Sequence, residues 1–253
     1  MPALIAFPAG LILGSFLTAL AHRLPRGESF VAGRSRCPAC GARIAAYDNI
    51  PVVSWLLLRG RCRSCDERIP ARYPLTELGL GALYLATVLI LGDAGAGELA
   101  LGLVLCTVLV AITLTDLDLR VIPNPVLLAG AIAAVAIAAI ADPASLPERA
   151  IAAIAAGGAL FVVALVYPRG LGMGDVKLVA MMGLFLGRSI APALLIGFAA
   201  GAVAGAALIA RHGSAARKHG IPFGPFLALG GVVGLWFGGA IVDWYADQFL
   251  AAP

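Results

Sequence analysis

GMGDVKLVAMMGLFLG, residues 172–187, sets one acid, Asp175, at the foot of an apolar run. A carboxylate entering hydrocarbon is costly and marks a functional candidate before any packing is known. The run behind it, 176–187, is short for a membrane crossing and reads as a tilted or partly inserted helix. Outward from it, similar runs cover about 3–21, 75–92, 98–115, 125–141, 149–167, 190–210 and 223–245. Most hold roughly 17–23 residues, enough for a hydrocarbon core of about 30 Å. Composition agrees: 61% of the 253 residues are hydrophobic and 13% charged, against about 25% charged in soluble domains. The expected fold is an all-α, polytopic membrane protein of about eight transmembrane helices. The run 3–21 lacks a basic leader and a clear cleavage site, so it reads as a retained helix. Spaced glycines in the last two spans (Gly197, Gly201, Gly205; Gly230, Gly231, Gly234, Gly238, Gly239) read as close helix packing.

Charge gives orientation. Residues 22–74 are placed on the cytoplasmic side and the spans alternate from there. All of the 18 Lys and Arg then fall on that side except Arg149 and Arg188. This bias favours cytoplasmic placement of the long loop, with both termini outside. The basic residues therefore read as topology rather than nucleic-acid binding. The same alternation puts Asp175 and Asp116, at the end of span three, at one membrane boundary. The expected organisation is a first helix over 1–21, a cytoplasmic loop over 22–74 and a membrane domain over 75–253.

A loop of about 50 residues is too small to hold its own core without a staple. Cys37-Pro38-Ala39-Cys40 and Cys62-Arg63-Ser64-Cys65 provide one, with 21 residues between them. Two such knuckles match a closed four-cysteine zinc site of the zinc-ribbon kind, structural because four thiolates leave no open position. Redox pairs and disulfides are the competing readings, disfavoured where thiols stay reduced. Arg36, Arg61 and Arg63 are expected to offset thiolate charge. Cys106, mid-span, reads as a small buried hydrophobe. Between the knuckles, Tyr47 to Gly60 is apolar, carries Trp55 and is too short to span. It fits a segment in the headgroup plane. Glu77 enters span two as either a site candidate or an acid favoured by the dipole of a first helical turn.

Facing carboxylates cannot both ionise cheaply, so one stays protonated and the other charged, the division that acid–base hydrolysis of a peptide needs. Asp116 and Asp118 both stand near the end of span three, about 200° apart on a helix. Gly172 and Gly174 suit a close backbone approach before Asp175. Lys177 either offsets charge or anchors the helix. The bland alternative is that these acids are helix-end anchors. His22, His212 and His219 lack a triad-like neighbourhood and read as interfacial or loop residues.

The motifs in their order resemble the bifunctional type IV prepilin peptidases, the leader peptidase/N-methyltransferases of type IV pilus and type II secretion systems. Gly14-Ser15-Phe16-Leu17 with His22-Arg23-Leu24-Pro25 looks like the family's opening, and the two cysteine knuckles sit at its zinc loop. Ile50-Pro51-Val52, Ser54-Trp55-Leu56-Leu57-Leu58-Arg59-Gly60-Arg61-Cys62 and Arg72-Tyr73-Pro74-Leu75 with Glu77 resemble its linking segments. Gly172-x-Gly174-Asp175 is similar to its GxGD signature. The resemblance covers nearly the whole chain. It implies Asp116 and Asp175 as the catalytic pair, because the family's first aspartate stands seven residues before a proline, as Asp116 does before Pro123. It implies prepilin and pseudopilin substrates, cleaved after a glycine at the cytoplasmic face of a bacterial inner membrane. It further implies methylation of the new N-terminus with S-adenosylmethionine. Glu77 and Asp48 are candidates for binding that cofactor, since no glycine-rich nucleotide fingerprint is present. Membrane lipids and the substrates are the expected partners, nucleic acid is not, and the oligomeric state stays open. The rival readings are a peptidase without methylation and a proton-coupled transporter using the two aspartates.

Overall fold

The computed structural model describes residues 2–24, 35–168, 170–212 and 221–250. Arg26, Arg34, Arg169, Arg217, Lys218 and His219, which enter the charge count or the histidine reading, lie outside them, as does Pro25. The chain divides into two compact units, residues 1–90 and 91–253.

The first unit holds helix α1 (Pro2–Arg23), a short helix α2 (Val53–Leu57) and α3 (Arg72–Leu91). Its two long helices meet along a seam of small residues. A Cβ on Gly10 would lie 2.7 Å from Gly81 Cα, and one on Gly14 would lie 2.7 Å from Glu77 Cα. Any larger side chain would push the helices apart, so this seam fixes the height of Glu77. The span begins at Arg72, three residues before the expected start at 75. Glu77 consequently lies in the second helical turn and not the first, beyond the reach of the helix-end dipole. Between the long helices, the loop carries two isolated antiparallel bridges, Arg36 with Arg43 and Arg61 with Arg68, one closing each cysteine knuckle.

The second unit is a bundle of six helices: α4 (Ala96–Leu119), α5 (Asn124–Ala141), α6 (Leu146–Val166), α7 (Met173–Leu186), α8 (Ile190–His212) and α9 (Gly224–Phe249). Leu105, Leu109 and Ile112 of α4, Leu178, Met182 and Phe185 of α7, and Leu227 of α9 make the fully buried core. Where helices cross, glycine or alanine allows contact. A Cβ on Gly183 would stand 2.6 Å from the Ala153 backbone, and one on Gly230 would stand 2.2 Å from the Ala193 carbonyl oxygen. Packing is thus the role of the glycines at Gly197, Gly201, Gly230, Gly231, Gly234 and Gly238, whereas a Cβ on Gly205 or Gly239 would meet nothing within 4 Å. Cys106 is fully buried, as its apolar surroundings required.

The all-α membrane architecture is the one expected. Seven helical stretches among the described residues are long and apolar enough to cross a membrane. The expected short sixth span is α7, with 14 residues. It runs through a tight turn, Gly187–Ser189, into α8, so the two form one apolar stretch of 39 residues. At the far end of the bundle from Asp116, Arg149 donates to the Phe185 carbonyl and pairs with Glu98, and Arg188 pairs with Asp243 at 2.8 Å. These contacts hold the two arginines that the charge count set apart.

Candidate active site

Asp116 occupies the last turn of α4, which runs past the expected end at 115 to Leu119. The helix stops because Arg120 takes the left-handed conformation, φ 54° and ψ 40°, with its N–H bonded to the Asp116 carbonyl oxygen at 2.9 Å. A non-glycine residue in that conformation is strained, and glycine is the usual occupant of such a cap. Here the cap carries a guanidinium instead, and Arg120 lines the cavity in front of Asp116. Asp116 is 6% exposed, and its Oδ2 accepts the Gly224 N–H at 2.8 Å. Gly224 opens α9, so the carboxylate faces a helix N-terminus, where backbone donors are unpaired. A Cβ on Gly224 would come within 2.8 Å of that same oxygen, so only glycine allows the approach.

Asp175 stands in the first turn of α7, three residues after its cap residue Gly172. Its side chain bends back over that cap: a Cβ on Gly172 would lie 3.1 Å from Asp175 Oδ2. This is the capping-box position, where an acid answers the unpaired amides of its own helix start. Gly174 allows α7 to approach Ile122, whose Cβ would be 3.1 Å from an added Cβ. Lys177 donates to Asn124 Oδ1 at 3.1 Å, tying α7 to the start of α5.

Both carboxylates line one cavity of about 590 Å³. Asp118 is exposed and is not among the residues lining it. Of the two acids near the end of α4, the structure therefore turns Asp116 toward Asp175. Arg120, Asn124 and Phe223 also line this cavity, Gly224 bonds to Asp116, and none of the four was singled out in the sequence as a site residue. Their signals were faint: Gly-Pro opening the last span, Asn-Pro opening the fourth, and an arginine shortly before a proline.

In the first unit the four sulfurs of Cys37, Cys40, Cys62 and Cys65 lie within 4.8 Å of one another. The Cys37 and Cys65 sulfurs are 3.8 Å apart. Thiolates about 2.3 Å from a shared zinc ion stand roughly 3.8 Å apart in a tetrahedron, so this set could hold that metal. The Cys40 and Ala39 backbone amides hold the Cys37 thiol down to about 7. Cys65 faces the Glu67 backbone amide, but the neighbouring Cys40 thiol and burial push it up to about 12. Four crowded sulfurs cannot all be thiolates without a cation among them. Arg63, expected to offset thiolate charge, instead forms a two-pronged pair with Asp48, at 2.9 and 2.7 Å, and stacks over Tyr47. That guanidinium holds the Asp48 carboxyl below the usual range. Trp55, expected among lipid-facing residues, donates its indole N–H to the Ile69 carbonyl at 3.0 Å and packs against Gly60. Leu56 and Leu57 of the same segment are exposed.

Residues 9–91 match the family model of the bacterial peptidase A24 N-terminal domain, and residues 103–209 match that of the type IV leader peptidase family. A prepilin leader peptidase/N-methyltransferase from Aeromonas hydrophila is 36% identical, covering 97% of this chain and 94% of its own. One from Bacillus subtilis (strain 168) is 33% identical, covering 97% and 98%. One from Burkholderia pseudomallei (strain 1026b) is 36% identical, covering 92% and 84%. The chain belongs to the type IV leader peptidase family. No solved structure matches it. Family membership agrees with the enzyme reading and gives no support to a proton-coupled transporter. In this family member the two matched regions carry the two clusters described above: the cysteine knuckles and Glu77 lie in the first, Asp116 and Asp175 in the second.

Proposed function

We propose that this chain is a membrane aspartyl endopeptidase that removes the basic leader of prepilins and pseudopilins after a glycine, and then N-methylates the new N-terminus. The observation that carries the first half is the meeting of Asp116 and Asp175 on one cavity, Asp116 against the start of α9 and Asp175 in the first turn of α7. One carboxylate takes a proton from water as the water oxygen bonds to the scissile carbonyl carbon. The other gives a proton to the carbonyl oxygen. The C–N bond then breaks as nitrogen takes up a proton, leaving a leader carboxyl and a free amine. No covalent enzyme intermediate is required. Gly224 positions Asp116 through its N–H, and Arg120 and Lys177 are cations beside the cavity. The charge bias supports a cytoplasmic placement of this site in a bacterial inner membrane, with the exposed Leu56 and Leu57 turned to lipid.

The loop 22–74 serves the methylation half, and the peptidase lies within 75–253. Cys37, Cys40, Cys62 and Cys65 would hold a structural zinc ion, which clamps a loop too small to fold on apolar burial alone. S-adenosylmethionine, when bound, supplies an electrophilic methyl group. The relatives' N-methyltransferase names and the intact four-cysteine loop support methylation over a peptidase without it.

The test is cleavage of a model prepilin, analysed by mass spectrometry, with wild type against Asp116→Asn and Asp175→Asn. Wild type yields a leader-free, N-methylated product, and each variant cleaves about 10³-fold more slowly. Cleavage near the wild-type rate in either variant overturns the mechanism. A cleaved but unmethylated wild-type product overturns the second half alone.

A further inference from the structure

The first unit contains a cavity of about 480 Å³, walled entirely by residues of that unit. Ligand sites commonly occupy roughly 300–1,000 Å³. Its chemistry is unusual for the inside of a small loop. Glu77 lines it and is 7% exposed. One oxygen, Oε2, accepts the Val52 N–H at 2.7 Å. Among the described residues its other oxygen, Oε1, has no donor. Of the other two acids there, Asp48 has both oxygens occupied by Arg63 and Glu67 is exposed. Glu77 is thus the buried acid of this cavity, and no ion pair to it occurs among the described residues.

The backbone is strained to arrange this. Val52 has φ 61° and ψ −51°, and the Val53 N–H reaches the Pro51 carbonyl across it at 2.6 Å. That is a γ-turn of the rare, strained hand. For a β-branched residue a positive φ is a clear outlier, costing about 1–3 kcal/mol and persisting only where the surroundings enforce it. Ser54 enforces it by accepting the Ile50 N–H and donating to the Tyr47 carbonyl, at 3.2 and 2.7 Å. The turn points its amide at Glu77. Tyr47 and Trp55 supply aromatic wall, and Arg36, Arg43 and Arg68 supply cations.

We infer that this cavity is the S-adenosylmethionine site, with the Glu77 carboxylate the counter-charge to the sulfonium centre. The inference rests on the methyltransferase half of the proposed function. S-adenosylmethionine carries a fixed cation at sulfur, a carboxylate and a flat base. The cavity offers a buried anion, arginines and aromatic rings to match. S-adenosylhomocysteine keeps everything except the positive sulfur. It therefore isolates the role given to Glu77: an acid that bound ribose hydroxyls would serve both molecules equally.

The test is equilibrium binding of S-adenosylmethionine and S-adenosylhomocysteine to the full-length protein in lipid nanodiscs. Wild type is expected to prefer the sulfonium form. Glu77→Gln, which keeps an acceptor for Val52, is expected to weaken S-adenosylmethionine roughly tenfold or more, the loss of one charge-assisted contact. S-adenosylhomocysteine should move by about twofold or less. Equal weakening of both, or no weakening of either, overturns the assignment. A wild type without preference for the sulfonium form also overturns it, and that measurement needs no variant to fold. Zinc content and melting temperature verify that Glu77→Gln is folded. In parallel, wild type is given an already cleaved pilin. If it does not methylate that pilin, the proposed function fails. If it methylates while Glu77→Gln binds both molecules as wild type does, only the Glu77 assignment fails.

Discussion

Gly224→Ala isolates the contact that positions Asp116. The added Cβ would stand 2.8 Å from Asp116 Oδ2, 3.2 Å from Cγ and 3.3 Å from Cβ, whereas ordinary contact begins at 3.4 Å. The crowding involves three atoms of the side chain, so a terminal rotation does not relieve it. The carboxylate has to retreat by about 0.6 Å, the difference between 3.4 and 2.8 Å, and its 2.8 Å hydrogen bond to the Gly224 N–H stretches or breaks. A hydrogen bond to a charged group contributes about 1.5–3 kcal/mol. At about 1.4 kcal/mol per decade, cleavage should slow roughly 10- to 150-fold. Stability should not suffer, because Gly224 opens α9 and alanine is the better helix former by up to about 1 kcal/mol. The assay is the initial rate of prepilin cleavage in nanodiscs, read by the shift of the product band, with the melting temperature measured alongside. Gly239→Ala on the same helix is the control: its Cβ would meet nothing within 4 Å, and its rate should stay within about twofold of wild type. A Gly224→Ala enzyme cleaving as fast as that control would refute the reasoning.

Four further outcomes are expected. Asp116→Asn and Asp175→Asn should each reduce cleavage by about 10³-fold, the scale of a lost acid–base group, while Asp118→Asn, exposed and outside the cavity, stays near wild type in the same gel assay. Cys40→Ser should release the metal, with elemental analysis falling from about one zinc per chain toward none, and tryptophan fluorescence should report loosening of the loop around Trp55. Asp48→Asn should weaken the loop at neutral pH, measured by chemical denaturation. Because Arg63 depresses the folded-state Asp48 value, its stabilisation is full above the unfolded value of about 3.9. It is lost as pH falls through the lower folded value, so wild type and variant should converge only in strong acid. Arg149→Ala should leave the Phe185 carbonyl and Glu98 without their donor and lower stability by about 1–3 kcal/mol on thermal unfolding.

The sequence by itself determined the membrane helices, because about twenty apolar residues satisfy their own backbone only as a helix in lipid. It also determined the metal knuckles, since two pairs of cysteines two residues apart are a local geometry that the chain carries wherever it goes. It brought Asp116 and Asp175 to one boundary by alternation of spans. Spacing alone did not choose between Asp116 and Asp118. The choice came from resemblance, and in the structure it follows from which face of α4 turns to α7 and α9. Gly224 was invisible as a partner of Asp116 because 108 positions separate them, and no periodicity encodes which glycine meets which acid. Glu77 was misplaced by one helical turn because α3 starts three residues earlier than its apolar run, at a point where hydropathy carries no signal. The strained turn at Val52 was equally hidden, since valine is among the residues least suited to a positive φ. What the sequence decides is whatever a residue's own neighbours can satisfy. What tertiary structure decides is which backbone amide answers a buried carboxylate, because that answer comes from a helix elsewhere in the chain.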